Sequence, residues 1–316
     1  MRCAWALRTS QRQASIDPVA NTREIARRIQ SIRNLGQVTR AYQMISASRM
    51  RKAQERALAA RPYAQKTGEL LRHLAQASTS EALHPLLTVR PVRRLAVVLI
   101  ASDRGLCGGY NSSVIRRGLD YARRAQVPVA YVTVGRKAQE AVLGIRGELL
   151  AEFEALPAEL TISYASPVAR LIEDAFLGGD VDAAAVAYTQ FVSIGVQAPS
   201  VRQVLPVAPG ATEAAPSGNG ASTGQGVARL EYLYEPSAAD ILDSLLPHSL
   251  EVEILGCLLE SAASEHSARM VAMQMATDNA GEMVEELTRT YNRARQASIT
   301  GEILDIVGAT EALRVG

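Results

Sequence analysis

Leu95-Ala96-Val97-Val98-Leu99-Ile100 runs directly into Ala101-Ser102-Asp103-Arg104-Gly105-Leu106-Cys107-Gly108-Gly109-Tyr110-Asn111, and this stretch decides how the chain reads. Six consecutive apolar residues that stop at a glycine-rich turn are the pattern of a fully buried strand. Helical spacing follows over 112–126. A second strand reads at 127–134, helices at 136–143 and 166–177, and a third strand at 183–191. Alternation of strand and helix over about 92–203 points to an α/β layer with a mostly parallel sheet.

Outward from this region the rhythm changes on both sides. From 21 to about 78, Gly36, Pro62 and Gly68 are almost the only punctuation. Ile25, Ile29, Ile32, Leu35, Val38, Tyr42 and Ile45 recur in steps of three and four, a helical stripe with a heptad-like seam. Asn21 or Thr22 can cap its start, and Pro62 is expected to kink it or to end its first section. Beyond the Pro/Gly/Ala/Ser/Thr-rich tract 206–226, which reads as a mobile loop, a helical pattern resumes at Ala238. It carries Ile254, Leu258, Met270, Met273, Met283, Leu287, Ile299, Ile303 and Ile306 nearly to the end. A helix of roughly 60–70 residues would be about 100 Å long. Two such helices at opposite ends of one chain point to an antiparallel coiled coil with the α/β layer inserted between them; a bundle of shorter helices is the other reading.

The bulk numbers agree without deciding. The chain has 316 residues, is rich in alanine and poor in aromatics, and carries a formal net charge of +2. Alanine favours helix, and aromatics fill many β cores. Cys3, Cys107 and Cys257 lie far apart, with no CxxC pair and no His/Cys cluster at metal spacing, so neither a disulfide framework nor a metal site is expected. No apolar run approaches the ~18–20 residues that span a bilayer. Residues 1–18 hold Arg2, Arg8 and Arg12 among Ser and Gln, with Asp17 the first acid. They read as a disordered extension, a start assigned too far upstream, or a transit peptide.

Two features carry candidate chemistry. The turn 103–111 can offer backbone N–H groups to a phosphate, but it fits neither GxGxxG nor GxxxxGK[ST]. Arg104 is the only charged candidate beside Asp103. Cys107 as a nucleophile would need a base, and His73, His84, His248 and His266 all fall in or near the helical regions. The first helix is strongly basic between 23 and 66, where eleven Arg and Lys face only Glu24 and Glu55. Such a face suits an acidic protein surface, a membrane surface or nucleic acid. Only Tyr42 and Tyr63 are available for base stacking, which weakens the last reading. A basic coiled-coil nucleic-acid-binding protein stays as the alternative, and a nucleotide-binding enzyme as a third.

Several segments together resemble one family. Ile29-Gln30-Ser31-Ile32-Arg33-Asn34, Val38-Thr39-Arg40-Ala41 and Ser46-Ala47-Ser48-Arg49-Met50-Arg51-Lys52-Ala53-Gln54 are similar to the N-terminal helix of F-type ATP synthase gamma subunits. The 103–109 turn matches that family's DRGLCGG segment, and Tyr232-Leu233-Tyr234-Glu235-Pro236 its foot region. Ala268-Arg269-Met270-Val271-Ala272-Met273, Ala276-Thr277-Asp278-Asn279-Ala280 and the run Tyr291 to Ile303 resemble its C-terminal helix. The resemblance covers about 21–312 in the right order.

It implies an α/β fold with long helices: a Rossmann-like domain at 81–205 inserted into an antiparallel coiled coil of helices at 19–80 and 229–316, with a flexible loop at 206–228 and the extension at 1–18. It implies a non-catalytic rotor shaft without cofactor. Its partners would be the alpha and beta subunits, the epsilon subunit and the membrane-embedded c-ring, with no nucleic acid and no insertion into the bilayer. The location would be the cytoplasmic face of a bacterial cell membrane, or the matrix side if the N-terminal stretch is a transit peptide. Arg295 and Gln296 would grip a beta-subunit loop, with Thr300, Glu302 and Asp305 beside them. Arg40, Arg49, Arg51 and Lys52 would face other beta loops, and Tyr232 and Glu235 would lie at the foot. Three departures stand out: Tyr42 occupies a position where the family often has Met, Gly308-Ala309 sits one position early, and the regulatory cysteine pair of chloroplast versions is absent.

Overall fold

The computed structural model describes residues 18–77, 84–154, 156–157, 159–207 and 237–315. Most of the 1–18 extension, nearly all of the 206–228 loop, and Tyr232 and Glu235 lie outside the described residues. Two helices dominate the rest: α1, Pro18–Ala77, and α5, Ala238–Val315. The chain forms two compact units, Met1–Ala41 with Gln274–Gly316, and Tyr42–Met273.

The second unit holds the sheet. Its elements are β1 Leu95–Ile100, α2 Tyr110–Ala125, β2 Val129–Val134, α3 Arg136–Gly144, β3 Glu148–Phe153, α4 Ile162–Leu177, β4 Ala183–Phe191 and β5 Gln197–Leu205. The strand order is β3-β2-β1-β4-β5; the first four are parallel, and β5 runs antiparallel to β4. Every residue of β1 is buried because both faces of the sheet are covered. Leu95, Val97 and Leu99 pack with α2 and α3. Ala96, Val98 and Ile100 share the other core with α4, with Ala53, Leu71 and Leu74 of α1, and with Leu250, Ile254 and Leu258 of α5. Gly118 lets α2 approach closely: a Cβ there would lie 2.9 Å from both Ala187 Cβ and Leu99 Cδ1.

Two strands escape pattern reading. β3 alternates exposed and half-buried residues at an edge of the sheet, and β5 contains Pro199. Proline is tolerated at an edge, where its missing N–H leaves no ladder bond broken in the sheet interior.

Within the first unit α1 and α5 are antiparallel. Gly36 sits beside Ala280, where an added Cβ would be 3.5 Å from that of Ala280, and Thr39 Oγ1 lies 2.8 Å from Thr277 Oγ1. One helix steps up three residues as the other steps down three. In the second unit the pairing is again antiparallel: Ala53 shares a core with Ala262 and Ala263, and Tyr63 Oη is 2.5 Å from His248 Nε2.

The seam of α1 corrects the sequence reading. Ile25 and Ile29 are buried as expected, but Leu35, Val38, Tyr42 and Ile45 are exposed. The buried positions further along are Thr39, Ser46, Met50 and Ala53. These continue the four-three alternation of a heptad, whereas 35, 38, 42 and 45 slip to the adjacent face. Small side chains permit the close approach seen at Gly36 and Ala280, and the hydrogen bond to Thr277 satisfies the buried Thr39 hydroxyl.

Three boundaries also differ. α1 begins at Pro18, not after Asn21 or Thr22; proline at a helix start gives up an N–H that has no acceptor anyway. Pro62 does not end α1. Its ring deprives the Leu58 carbonyl of a partner, and Leu58 is exposed, so water can take that bond. α4 starts at Ile162 rather than 166, with Pro167 inside it. At the start of α5, Ser237 is the cap: its Oγ accepts from Asp240 N at 3.1 Å and donates to Asp240 Oδ2 at 2.6 Å.

Candidate functional site

The strand order reverses between β1 and β4, and their carboxyl ends frame the crevice where open α/β sheets take small ligands. In this chain α5 crosses that crevice. Pairing between β1 and β4 ends at Leu99 and Ala187, which leaves Thr189 beyond it. The Thr189 N–H donates to Ser261 Oγ (3.4 Å), and its carbonyl accepts from Ser264 Oγ (3.0 Å). Two turns further along the helix from Ser261, Ser267 Oγ donates to the Ile194 carbonyl (2.7 Å) and accepts from Gln197 Nε2 (3.3 Å). The three serines are wholly buried. Opposite them, Tyr110 Oη donates to the Ser261 carbonyl at 3.3 Å and Arg269 Nη2 to the Arg104 carbonyl at 3.4 Å.

The glycine-rich turn spends its own polar groups internally. Asp103 Oδ1 accepts from Arg136 N at 2.9 Å and so occupies the start of α3, where a phosphate would otherwise find a donor. Asn111 Oδ1 accepts from Ser102 N (3.0 Å), and Asn111 Nδ2 donates to Cys107 Sγ (3.2 Å). Cys107 is buried. Gly135 sits where the two turns meet, at φ 88°, and a Cβ there would fall on the Ala101 carbonyl oxygen. The nearby charges are self-paired: Glu265 and Arg269 meet at 2.7 Å with both side chains largely buried. Burial raises the Glu265 pKa against the pull of Arg269. Burial, followed by Arg269 and Arg49, holds His266 down at about 4, so its imidazole is neutral near pH 7. A nucleotide-binding enzyme built on this turn would have to displace α5.

The described candidates for partner contact are surface residues of the two long helices. Arg40, Tyr42, Arg49, Arg51 and Lys52 are exposed on α1, and Arg295, Gln296, Thr300, Glu302 and Asp305 on α5. Within the first unit Arg40 and Arg295 are not neighbours, because Thr39 faces Thr277, far along α5 from 295. The Gln296 carbonyl accepts from Thr300 Oγ1 at 2.9 Å, and Glu302 Oε1 from Ser298 Oγ at 3.3 Å. Arg23, Arg27 and Arg33 are exposed, and Arg28 pairs with Glu24 at 2.6 Å. On the same two helices the apolar side chains Leu35, Val38, Met44, Ile45, Ile299, Ile303, Ile306 and Val307 are also exposed, each by 45% or more. Scattered single apolar residues are ordinary on a surface, but rows of them mark an interface. The sequence reading named most of these apolar residues but assigned them to the helical seam, and it did not name the buried serines. The serines had one signal available, their spacing of three on a helix.

Among the described residues no group of His, Cys, Asp and Glu is placed to hold a metal ion, and no helix is long and apolar enough to cross a membrane.

Comparison with known proteins agrees with this architecture. The ATP synthase family pattern matches residues 21–313. The ATP synthase gamma chain of Dehalococcoides mccartyi strain CBDB1 is 47% identical over 93% of this chain and the whole of that protein. That of Pelotomaculum thermopropionicum is 42% identical over 92% of this chain and 98% of its own length. A chain in the rotor of the Euglena gracilis mitochondrial ATP synthase, rotational state 1, superposes with a TM-score of 0.62 at 18% identity, covering 89% of this chain and 99% of that one. At that identity the likeness speaks for the fold, and the curated relatives speak for the family. Long antiparallel helices, an inserted five-stranded sheet and end-to-end similarity to these proteins converge: the chain belongs to the ATP synthase gamma-chain family.

Proposed function

We propose that this chain is the central rotor shaft of a proton-translocating F-type ATP synthase, coupling proton-driven rotation to ATP synthesis in the hexamer of alpha and beta subunits. The observation that carries the reading is the surface of the long helices, where rows of exposed apolar residues run beside exposed arginines. Such rows are costly in water and suit enclosure by a ring of partners. The chain has no catalytic group of its own in this reading; it selects among conformations of the beta subunits by contact. A shaft does so only if it binds those conformations differently at each angle.

Arg40, Tyr42, Arg49, Arg51 and Lys52 then meet beta-subunit loops, and Arg295 and Gln296 grip another loop with Thr300, Glu302 and Asp305 alongside. Tyr232 and Glu235 belong to the foot, towards the epsilon subunit and the c-ring. The working division is the helices α1 and α5 with the α/β domain between them in the sequence, inside 81–205; most of 206–228 lies outside the described residues. Within that complex this chain sits peripherally, on the cytoplasmic face of a bacterial membrane.

Co-expression with cognate alpha and beta subunits, followed by size-exclusion chromatography and an ATPase assay, tests the reading. One copy of this chain per hexamer, with ATPase activity that depends on it, is expected. A folded chain that elutes alone and leaves activity unaltered overturns it. Arg295→Ala with Gln296→Ala should reduce ATP-driven proton pumping roughly tenfold or more, the scale of removing an interface hot spot. Undiminished pumping would remove these two residues from the contact.

A further inference from the structure

The α/β domain of a rotor must hold its helix against torque, and the crevice described above shows where. We propose that Ser261, Ser264 and Ser267 are positioning residues that grip α5 against torque, with α5 acting as the built-in ligand of the sheet's own crevice. The proposal rests on the rotor reading and assigns the torque path within it.

Three observations carry it. The hydroxyls take the bonds that a continuing strand would have taken: both backbone groups of Thr189, past the end of its pairing with β1, are satisfied from α5. Apolar packing resists separation but is non-directional, so a helix held only by Leu250, Ile254 and Leu258 can slide or roll in its groove. Hydrogen bonds to fixed backbone atoms set rotation and register. The β4–β5 hairpin is tied to the same helix, because Ser267 Oγ donates to the Ile194 carbonyl at 2.7 Å and accepts from Gln197 Nε2 at 3.3 Å. On the far side of the crevice, Arg269 and Tyr110 fasten α5 to the β1–α2 turn. The helix is therefore held from both strands of the switch point.

The test uses the whole synthase reconstituted in vesicles, with Ser261→Ala/Ser264→Ala/Ser267→Ala and the single variants Ser264→Ala and Ser267→Ala. ATP hydrolysis and ATP-driven acidification are measured together, and amide exchange is followed at 189–197. Removing a hydroxyl leaves a buried backbone group unsatisfied, so exchange there should rise roughly tenfold. Hydrolysis should persist while protons pumped per ATP fall several-fold, a split that a change in overall stability would not produce. Faster exchange with an unchanged pumping ratio would overturn the proposal, as would unchanged exchange. If the triple variant does not assemble, the single variants decide by the same ratio. Failure of the unaltered chain to assemble with alpha and beta subunits would instead sink the rotor reading.

Discussion

Glu253→Gln should make this chain more stable at pH 8 and leave it nearly unchanged at pH 4.5. Glu253 lies on α5 against the sheet, with Oε1 3.9 Å from Arg202 Nη1. The Arg202 guanidinium stands 5.4 Å from the Tyr188 ring centroid, and Cys257 and Glu260 adjoin on the same helix. Burial pushes the Glu253 carboxyl from an ordinary 4.5 up to about 7, and Arg202 offsets only part of this. The folded state thus binds the proton more tightly than the unfolded chain does. The stability this group supplies is fully present below about 4.5 and is lost as pH rises through about 7. A gap of about 2.5 pH units at roughly 1.4 kcal/mol each sets an upper bound of about 3.5 kcal/mol. The side chain keeps 26% of its surface, so water screens it and about 1–2 kcal/mol is the expected effect. At ~2–4 °C per kcal/mol, the melting temperature of the variant should gain several degrees on the original between pH 4.5 and 8. Other titrating groups are common to both proteins and cancel in the difference. Parallel curves across that window would refute the burial argument.

Two further substitutions probe the packing. Gly135→Ala puts a side chain at a φ only glycine adopts comfortably and drives it onto the Ala101 carbonyl, so a loss of more than ~3 kcal/mol in urea denaturation is expected; a loss under ~1 kcal/mol would mean the turn can relax. Leu258→Ala removes a fully buried side chain from the core shared by α5 and the sheet, for which ~2–5 kcal/mol is expected by the same method.

The parts of the fold that were legible are those in which a single force decides. β1 and β4 are apolar on both faces because both faces are covered, and their limits were read at 95–100 and 183–191 as observed. The glycine-rich turn was legible as a strand-to-helix connection, but its ligand was not. Nothing local to 103–111 tells that the crevice is filled by residues about 160 positions later. The serines that fill it look like ordinary polar residues on a long helix until the sheet is brought beside them. Strands β3 and β5 stayed hidden because edge strands lack the apolar signal of central ones.

The seam of α1 shows why a binding surface can hide behind correct physics. Apolar periodicity assigns the greasiest face of a helix to the core, and on α1 that rule selects Leu35, Val38, Tyr42 and Ile45. The rule assumes that the only dry place available is within the chain. Beside Ala280 and Thr277 the inner face is built from Gly36 and Thr39, which bring the helices close and bury little apolar area there, while the greasier face remains in water. A lone chain would gain by rolling α1 until the larger side chains met α5. Rolling would break the Thr39–Thr277 hydrogen bond and bury Leu35 against the space now filled by Ala280, so close packing holds the register. The apolar row is thereby committed outward, and the rotor function proposed above would bury it on assembly. Tyr42 fits this arrangement: 42% exposed, it presents an apolar ring and a polar tip, the combination favoured where one side chain must suit both a dry partner and a wet rim.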